Sequence, residues 1–335
     1  MAIYPNNGPM DQWFYSAATL KVLFAAIGYD LEISQLSPGA LKGRFQMGGS
    51  RLVPVISITT NQSLVFEGDR RSGWLAFCIN TSGDAPLVRG KEVPQRSMHG
   101  FCSDLKDVFF QLHAGSHLQI ALVSHDRMEH LALASQQHQA LDLICSTNSA
   151  RLSAERFDRL ATMVLPRNKD PLQGELIEAE LLDLLSQRNV QRISSGELNH
   201  RADLMQHLIQ WGQSNPTKVI SLDDLTATIF ASRSSIVHNC RAMFGIGPMA
   251  LLKRIRLGQV QNALLNPDQR AIIGCRTVQE VASHYGFQSR NHFARDYRDL
   301  FGEAPSSTLQ RSGASGIRCQ PVSVAQSPQM AMARR

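Results

Sequence analysis

Two patterns of apolar and polar positions divide the chain. Up to residue 147, short runs of β-forming residues recur: Val53 to Ile58, Leu64 to Phe66, Trp74 to Ile79 and Leu118 to Val123. Turn signals separate them: Ser37-Pro38-Gly39, Gly48-Gly49, Asn61-Gln62-Ser63, Gly68-Asp69, Ser82-Gly83-Asp84 and Ala114-Gly115. That cadence predicts an antiparallel sandwich or barrel. Ser124 or Asp126 is placed to cap a helix running through Leu143. Residues 148–194 change to a helical period. Ile177, Leu181, Leu184 and Arg188 share one face with Leu185 beside it, while Glu175, Glu178 and Asp183 are polar. Two uses of this helix stay open: a dimerisation or connecting helix, and a helix packed on its own β domain.

The C-terminal third carries a pattern that occurs twice. Ser232, Ile236, Cys240, Met243, Phe244, Gly245 and Pro248 recur 57 residues later as Ser289, Phe293, Tyr297, Leu300, Phe301, Gly302 and Pro305. In each copy a Ser opens a helix, apolar residues mark one face, and Gly then Pro close it. The opposite face repeats too. Arg233, Ser234, Val237, His238 and Arg241 match Arg290, Asn291, Ala294, Arg295 and Arg298. A basic helix face with short polar side chains suits a reader of the DNA major groove.

A shorter helix precedes each copy. Val278, Val281, Ala282 and Tyr285 mark one that ends at Gly286, with Thr277 and Glu280 spaced as a capping box. Ser221, with Asp224 at the box position, opens the other, which carries Leu222, Leu225 and Ile229. Short helix, tight turn and basic second helix make a helix-turn-helix motif. Here there are two, at 221–245 and 277–302, joined by a linker helix from Met249 to Leu265 that carries Lys253, Arg254 and Arg256.

The run TVQEVASHYGFQSRNHFARDYRDLFGEAPS, Thr277 to Ser306, resembles the second helix-turn-helix of AraC/XylS-type transcription regulators. Gly286-Phe287, Ser289, Phe293, Arg295, Tyr297, Phe301-Gly302 and Pro305 carry the likeness. Leu251 to Leu257 resembles the start of that family's linker helix, and Gly245 to Leu257 most resembles the ethanolamine-operon regulators. One departure is Phe230, where many members carry a turn glycine. The resemblance implies that the N-terminal part is a sensor or dimerisation domain, often cupin-like in this family. Ile33 to Phe45 resembles the opening of one such sensor class.

Charge agrees with the resemblance. Residues 195–312 carry 13 Lys/Arg against 9 Asp/Glu, and residues 313–335 carry three Arg and no acid. Residues 1–194 carry 18 against 19, so the excess of +6 lies at the DNA-reading end. The six cysteines (Cys78, Cys102, Cys145, Cys240, Cys275, Cys319) form no CxxC pair, which reads as cytosolic thiols rather than a disulfide framework or zinc site. The N-terminus lacks the basic region of a signal peptide, and no long uncharged apolar run is present. His113 and His117 are four apart, but a turn sequence lies between them, so no metal is expected. No GxSxG, GxxxxGK[ST] or GxGxxG occurs, so no catalytic residue or cofactor is expected. Trp211 and Phe293 read as core.

The sequence therefore predicts an α+β, multidomain chain. An all-β, cupin-like sensor domain (1–147) is followed by a helical connector with a possible dimerisation role (148–194). Then come an all-α domain of seven helices (195–312) and a disordered tail (313–335). The expected function is a cytoplasmic, effector-responsive regulator that binds double-stranded DNA as a homodimer, with RNA polymerase and a small-molecule effector as further partners. Its expected DNA contacts are Arg233, Ser234, Val237, His238, Arg241, Lys253, Arg254, Arg256, Arg290, Asn291, Ala294, Arg295 and Arg298. The alternative is a cupin-type or DNA-repair enzyme carrying a DNA-binding module.

Overall fold

The computed structural model describes residues 9–166, 171–186, 192–194, 200–217 and 221–314. The expected tail lies almost wholly outside the described residues, as do Arg188 and Cys319.

Two antiparallel sheets form the N-terminal half. The larger follows the order β1 (Met10–Phe14), β3 (Gly43–Gly49), β4 (Pro54–Thr60), β11 (His117–Ser124), β6 (Trp74–Ser82), β9 (Ser97–His99), β12 (Thr147–Arg151), β13 (Arg192–Ser194). The smaller is β2 (Leu31–Gln35), β5 (Leu64–Asp69), β10 (Asp107–Leu112), β7 (Leu87–Val88), β8 (Lys91–Glu92). Strand β4 shows why its sequence is apolar without interruption. Successive side chains point to opposite faces of a sheet, and here both faces are covered. Val55 joins Leu75, Phe77, Ala121 and Val123 against a helical layer. Ile56 and Ile58 join Leu118, Ile120 and Leu122 against the second sheet and α1 (Ala17–Ala26). Helix α1 lies inside the stretch the turn pattern assigned to strands alone.

The helical layer is α2 (His125–Ala134), α3 (His138–Ser146), α4 (Ala154–Met163) and α5 (Pro171–Ser186). The single helix expected from Ser124 to Leu143 is two, because Gln136 takes a left-handed φ of 56° and breaks it. The expected helical connector is not purely helical, since β12 and β13 extend the large sheet. Helix α5 buries Ile177, Leu181, Leu184 and Leu185 in the core beneath that sheet. Of the two uses left open for this helix, packing on its own β domain takes up its apolar face.

The described residues of 200–314 form eight helices, one more than expected: α6 (His200–Ser214), α7 (Leu222–Ile229), α8 (Arg233–Phe244), α9 (Pro248–Leu265), α10 (Pro267–Ile272), α11 (Val278–His284), α12 (Arg290–Phe301) and α13 (Pro305–Ala314). The short α10 opens on Asn266, whose side chain caps Asp268 and Gln269. Helix α9 serves two cores. Leu251, Leu252 and Ile255 pack with α6 and α8, whereas Leu257, Val260, Ala263 and Leu264 pack with α11 and α12. One rigid bar of 18 residues, about 27 Å at 1.5 Å per residue, thus sets the two helix pairs relative to each other.

The helical domain is docked on the small sheet. Leu36, Val65 and Phe109 share a core with Ala202, Met205, Ile209, Met243 and Phe244. Around it, buried Glu67 accepts from Gln210 at 2.6 Å and Gln206 at 3.4 Å, and Arg89 bridges Asp107 of β10 to Asp203 of α6.

Candidate nucleic-acid interface

Both helix pairs are built by local rules that the sequence states directly. Ser221 Oγ accepts from the Asp224 amide at 3.1 Å, and the Asp224 carboxylate accepts from the Ser221 amide at 2.9 Å. Thr277 and Glu280 reciprocate at 3.2 and 3.0 Å, and Glu280 also accepts from the Arg276 amide at 2.6 Å. These main-chain donors hold the Glu280 carboxyl below its ordinary pKa. After α11 the chain turns at Gly286, φ 83°. After α7 it turns at Phe230, which holds the same left-handed region at φ 53° and leaves its ring 94% exposed. The turn needs that conformation whichever residue occupies it, so the departure from glycine is absorbed as local strain rather than as a changed angle.

Helices α8 and α12 then open on Ser232 and Ser289, whose hydroxyls accept from Ser235 at 3.1 Å and His292 at 3.5 Å. Helix α8 buries Ile236, Cys240, Met243 and Phe244. Helix α12 buries Phe293, Tyr297, Leu300 and Phe301 in an aromatic ladder, with ring centroids 5.6 Å apart for Phe293–Tyr297 and 4.7 Å for Tyr297–Phe301. Each helix ends on a left-handed glycine, Gly245 at φ 70° and Gly302 at φ 69°.

What remains outward is the polar face. Arg233, Ser234, His238 and Arg241 are exposed on α8, with Val237 half-buried beside them. Arg290, Asn291, Arg295 and Arg298 are exposed on α12, with Ala294 half-buried. His292, which the repeat did not single out, joins them in the first turn of α12. Its exposure follows from the helical period, one position before buried Phe293.

The linker-helix residues fall differently. Lys253 is exposed but paired with Asp296 of α12 at 3.0 Å, which ties α9 to that helix. Arg256 is half-buried near Tyr285, Gly286 and Phe287. Arg254 is half-buried in a cleft with Lys21, Glu32 and Gln35 of the β domain, and burial lowers its pKa. Its expected place on the exposed basic face is corrected. Successive helical residues are about 100° apart, so a helix showing Lys253 to α12 turns Arg254 toward the sheet domain.

The two outward helices share one further relation. The β domain touches both near their C-terminal ends. Gly90 abuts the Met243 side chain, and the amide of Gly39 donates to the Leu300 carbonyl at 3.0 Å. The N-terminal turns, with Arg233-Ser234 and Arg290-Asn291, are exposed.

Among the described residues no three His, Cys, Asp or Glu side chains are grouped to hold a metal, and no helix is long and apolar enough to cross a membrane. His117 bonds Ser57 and Thr81 through its two ring nitrogens, each at 2.8 Å, and is a packed residue of the sheet. Cys78, Cys102, Cys145, Cys240 and Cys275 are free thiols.

Residues 225–311 match a family model described as a helix-turn-helix domain. The chain is 33% identical over 135 residues to the XylDLEGF operon transcriptional activator 2 of Pseudomonas putida, covering 40% of this chain and 81% of that protein. It is 30% identical over 150 residues to activator 3 of the same organism, covering 45% of this chain but only 43% of that relative. Among solved structures, a probable AraC family transcriptional regulator from Rhodopseudomonas palustris CGA009 is 35% identical, with 33% of this chain and 97% of that chain covered at a TM-score of 0.29.

Proposed function

The chain belongs to the AraC/XylS family of DNA-binding transcription regulators, and we propose that its two helix pairs act as two helix-turn-helix motifs on one face of double-stranded DNA. Helices α8 and α12 are the reading helices. The observation that carries this is their matched exposure: each presents a basic and polar first turn, while its apolar face is buried down to the last turn. Arg290, Asn291, Ser234, Val237 and His238 face base edges. Arg233, Arg241, Arg256, Arg295 and Arg298 meet phosphates, joined by main-chain N–H groups at the helix N-termini. Ala294 offers close apolar contact. Lys253 acts through its bond to Asp296.

The sheet domain is proposed as a cupin-like sensor for a small-molecule effector. Its support is the seam through Arg89, Glu67 and Gln35, which lets a change in the β domain bear on both reading helices. A second copy of the chain is the proposed partner. The outer face of α5 suits it, with Leu172 and Leu176 exposed at 62% and 60%. RNA polymerase is a further proposed partner, and the cytoplasm the proposed location. The likeness of Gly245 to Leu257 to ethanolamine-operon regulators is the proposed subgroup. The enzyme alternative is not carried forward.

The test is affinity for operator DNA against salt. With about five phosphates neutralised, log K falls with log salt at a slope of about −4 to −5. Arg298→Ala flattens the slope by about one unit, whereas Arg254→Ala leaves it unchanged. A slope near zero contradicts the reading.

A further inference from the structure

A cavity of about 80 Å³ lies inside the sheet domain. At about 10–15 Å³ per water-sized group, it holds roughly five to eight non-hydrogen atoms. Its walls are chiefly apolar, with Phe24, Ile56, Trp74, Phe110, Ile120 and Leu122 among them. Apolar walls with a few converging polar groups are the usual composition of a small-molecule site.

The polar groups are unusual. Arg70 follows β5 and lines the cavity. Its Nε donates to the Asp107 carbonyl at 3.1 Å and its Nη1 to the Cys102 carbonyl at 2.6 Å. Among the described residues no carboxylate lies within ion-pair distance of it, because the Asp107 side chain is taken by Arg89. Partial burial lowers the Arg70 pKa, because it disfavours the charged form. Arg70 is half-buried, its guanidinium bonds two main-chain carbonyls, and Asp107 acts on it only from beyond ion-pair distance, so the charge is incompletely compensated. His99 lines the same cavity, is 3% exposed, and its Nε2 has no hydrogen-bond partner among the described residues. Burial, with Arg70 nearby, brings its pKa down to about 4, so the ring is neutral at physiological pH. Cys78, raised to about 12 by burial, stays a thiol. With Asp107 paired to Arg89, Arg70 brings a positive charge to the cavity wall.

We propose that this cavity binds a small amphipathic carboxylate, its anionic group on Arg70, its neutral oxygen or amide edge within reach of His99, and its short hydrocarbon body among Phe24, Trp74 and Phe110. The site rests on the sensor reading given above and specifies the effector's chemistry. The ligand supplies a direct ion-pair partner that Arg70 lacks among the described residues, and the hydrocarbon fills space the sheets leave open. The same wall carries Arg89 and Asp107, and Arg89 also reaches Asp203 of the DNA-binding domain. Filling the cavity therefore bears on an ion pair that crosses the domain seam.

The test is calorimetric titration of the full chain, without DNA, with sodium hexanoate and with 1-hexanol, which share a body and differ in the head group. Trp74, in the cavity wall, provides a fluorescence signal for the same event. The expected result is saturable hexanoate binding at least tenfold tighter than hexanol. Arg70→Gln is expected to remove that preference, and Arg70→Lys to restore part of it. Because Arg70→Gln could unfold the domain, the wild-type comparison of the two ligands stands alone as a test. Equal affinity for acid and alcohol overturns the proposal, as does no binding of hexanoate at about 10 mM, or an Arg70→Gln chain that is folded and keeps wild-type preference. DNA is absent from the titration, so its failure leaves the DNA-binding reading intact. Loss of operator binding by a chain that still takes hexanoate sinks only that reading.

Discussion

The side-chain amide of Gln35 donates to the main-chain carbonyl of Leu300 at 2.9 Å, joining strand β2 to the last turn of reading helix α12. The same amide reaches the carbonyls of Ser37 and Gly39 at 2.8 and 2.7 Å, so the loop after β2 is shaped around this contact. Helix α8 meets the sheet domain through Met243 against Gly90. A domain that holds both reading helices near one end can alter their setting without touching DNA.

The two helix-closing glycines provide a direct check on that seam. Gly245 and Gly302 have nearly the same positive φ, but a Cβ on Gly245 meets nothing within 4 Å, whereas one on Gly302 lies 2.8 Å from the Ala40 main-chain nitrogen. Gly245→Ala should cost the left-handed penalty alone, about 1–2 kcal/mol. Gly302→Ala should cost about 1 kcal/mol more, because backbone must shift. Denaturant unfolding of the full chain measures both. Equal losses would mean that Ala40 does not press on α12.

Phe230 predicts a gain. Its left-handed backbone is strained, and its ring, 94% exposed, has little burial to offset that strain. Phe230→Gly should stabilise the chain by a few tenths to about 1 kcal/mol, the left-handed cost less glycine's larger unfolded-state entropy. A lower unfolding midpoint for Phe230→Gly would show that the exposed ring makes a stabilising contact.

His99 makes stability depend on pH. Its pKa is about 4 in the folded chain and about 6.5 when unfolded, so the unfolded state binds more protons between those values. Stability from keeping His99 neutral is complete above about pH 6.5 and is lost as pH falls toward 4. Between pH 7 and 5 the loss from this group is about 2 kcal/mol. Replacing it by Gln should flatten the pH dependence by that amount in denaturant titrations at the two pH values. An unchanged difference between pH 7 and pH 5 would remove His99 as its source.

Much of the DNA-binding half was legible because its rules are local. The capping boxes at Ser221 and Thr277, the left-handed Gly286, and the apolar stripe from Phe293 to Phe301 depend on residues within a few positions of one another. The strands Val53–Ile58 and Leu118–Val123 were legible as β for the same reason. What escaped depends on distant parts of the chain. Arg254 reads as an exposed base until the sheet domain is docked beside it. Residues 148–151 lie in a stretch assigned to helices, but they belong to strand β12 because β9 offers it an edge. Arg70 and His99 are 29 positions apart, one just after a strand of the small sheet and the other at the end of a strand of the large one, so no spacing rule could join them. Only the folded chain brings the half-buried Arg70 and the buried His99 to one cavity.

Base readout is expected to centre on the first turn of α12. Arg suits guanine O6 and N7, and Asn suits adenine N6 and N7. Asn291→Ala should relax preference at one base pair, at about 1–3 kcal/mol, and Arg290→Ala at another. Competition binding with single-base operator variants measures this. A uniform loss across all variants would assign both residues to phosphate contact.

The central claim is that α8 and α12 each read one major-groove segment. Selection of bound sequences from random duplex DNA by the full chain tests it most directly. Two conserved elements, centred about one helical turn or 10–10.5 base pairs apart, are the predicted result, with substitutions at Ser234 and His238 degrading one element and substitutions at Arg290 and Asn291 the other. Enrichment of no sequence, or of one element that responds to all four substitutions alike, would contradict it.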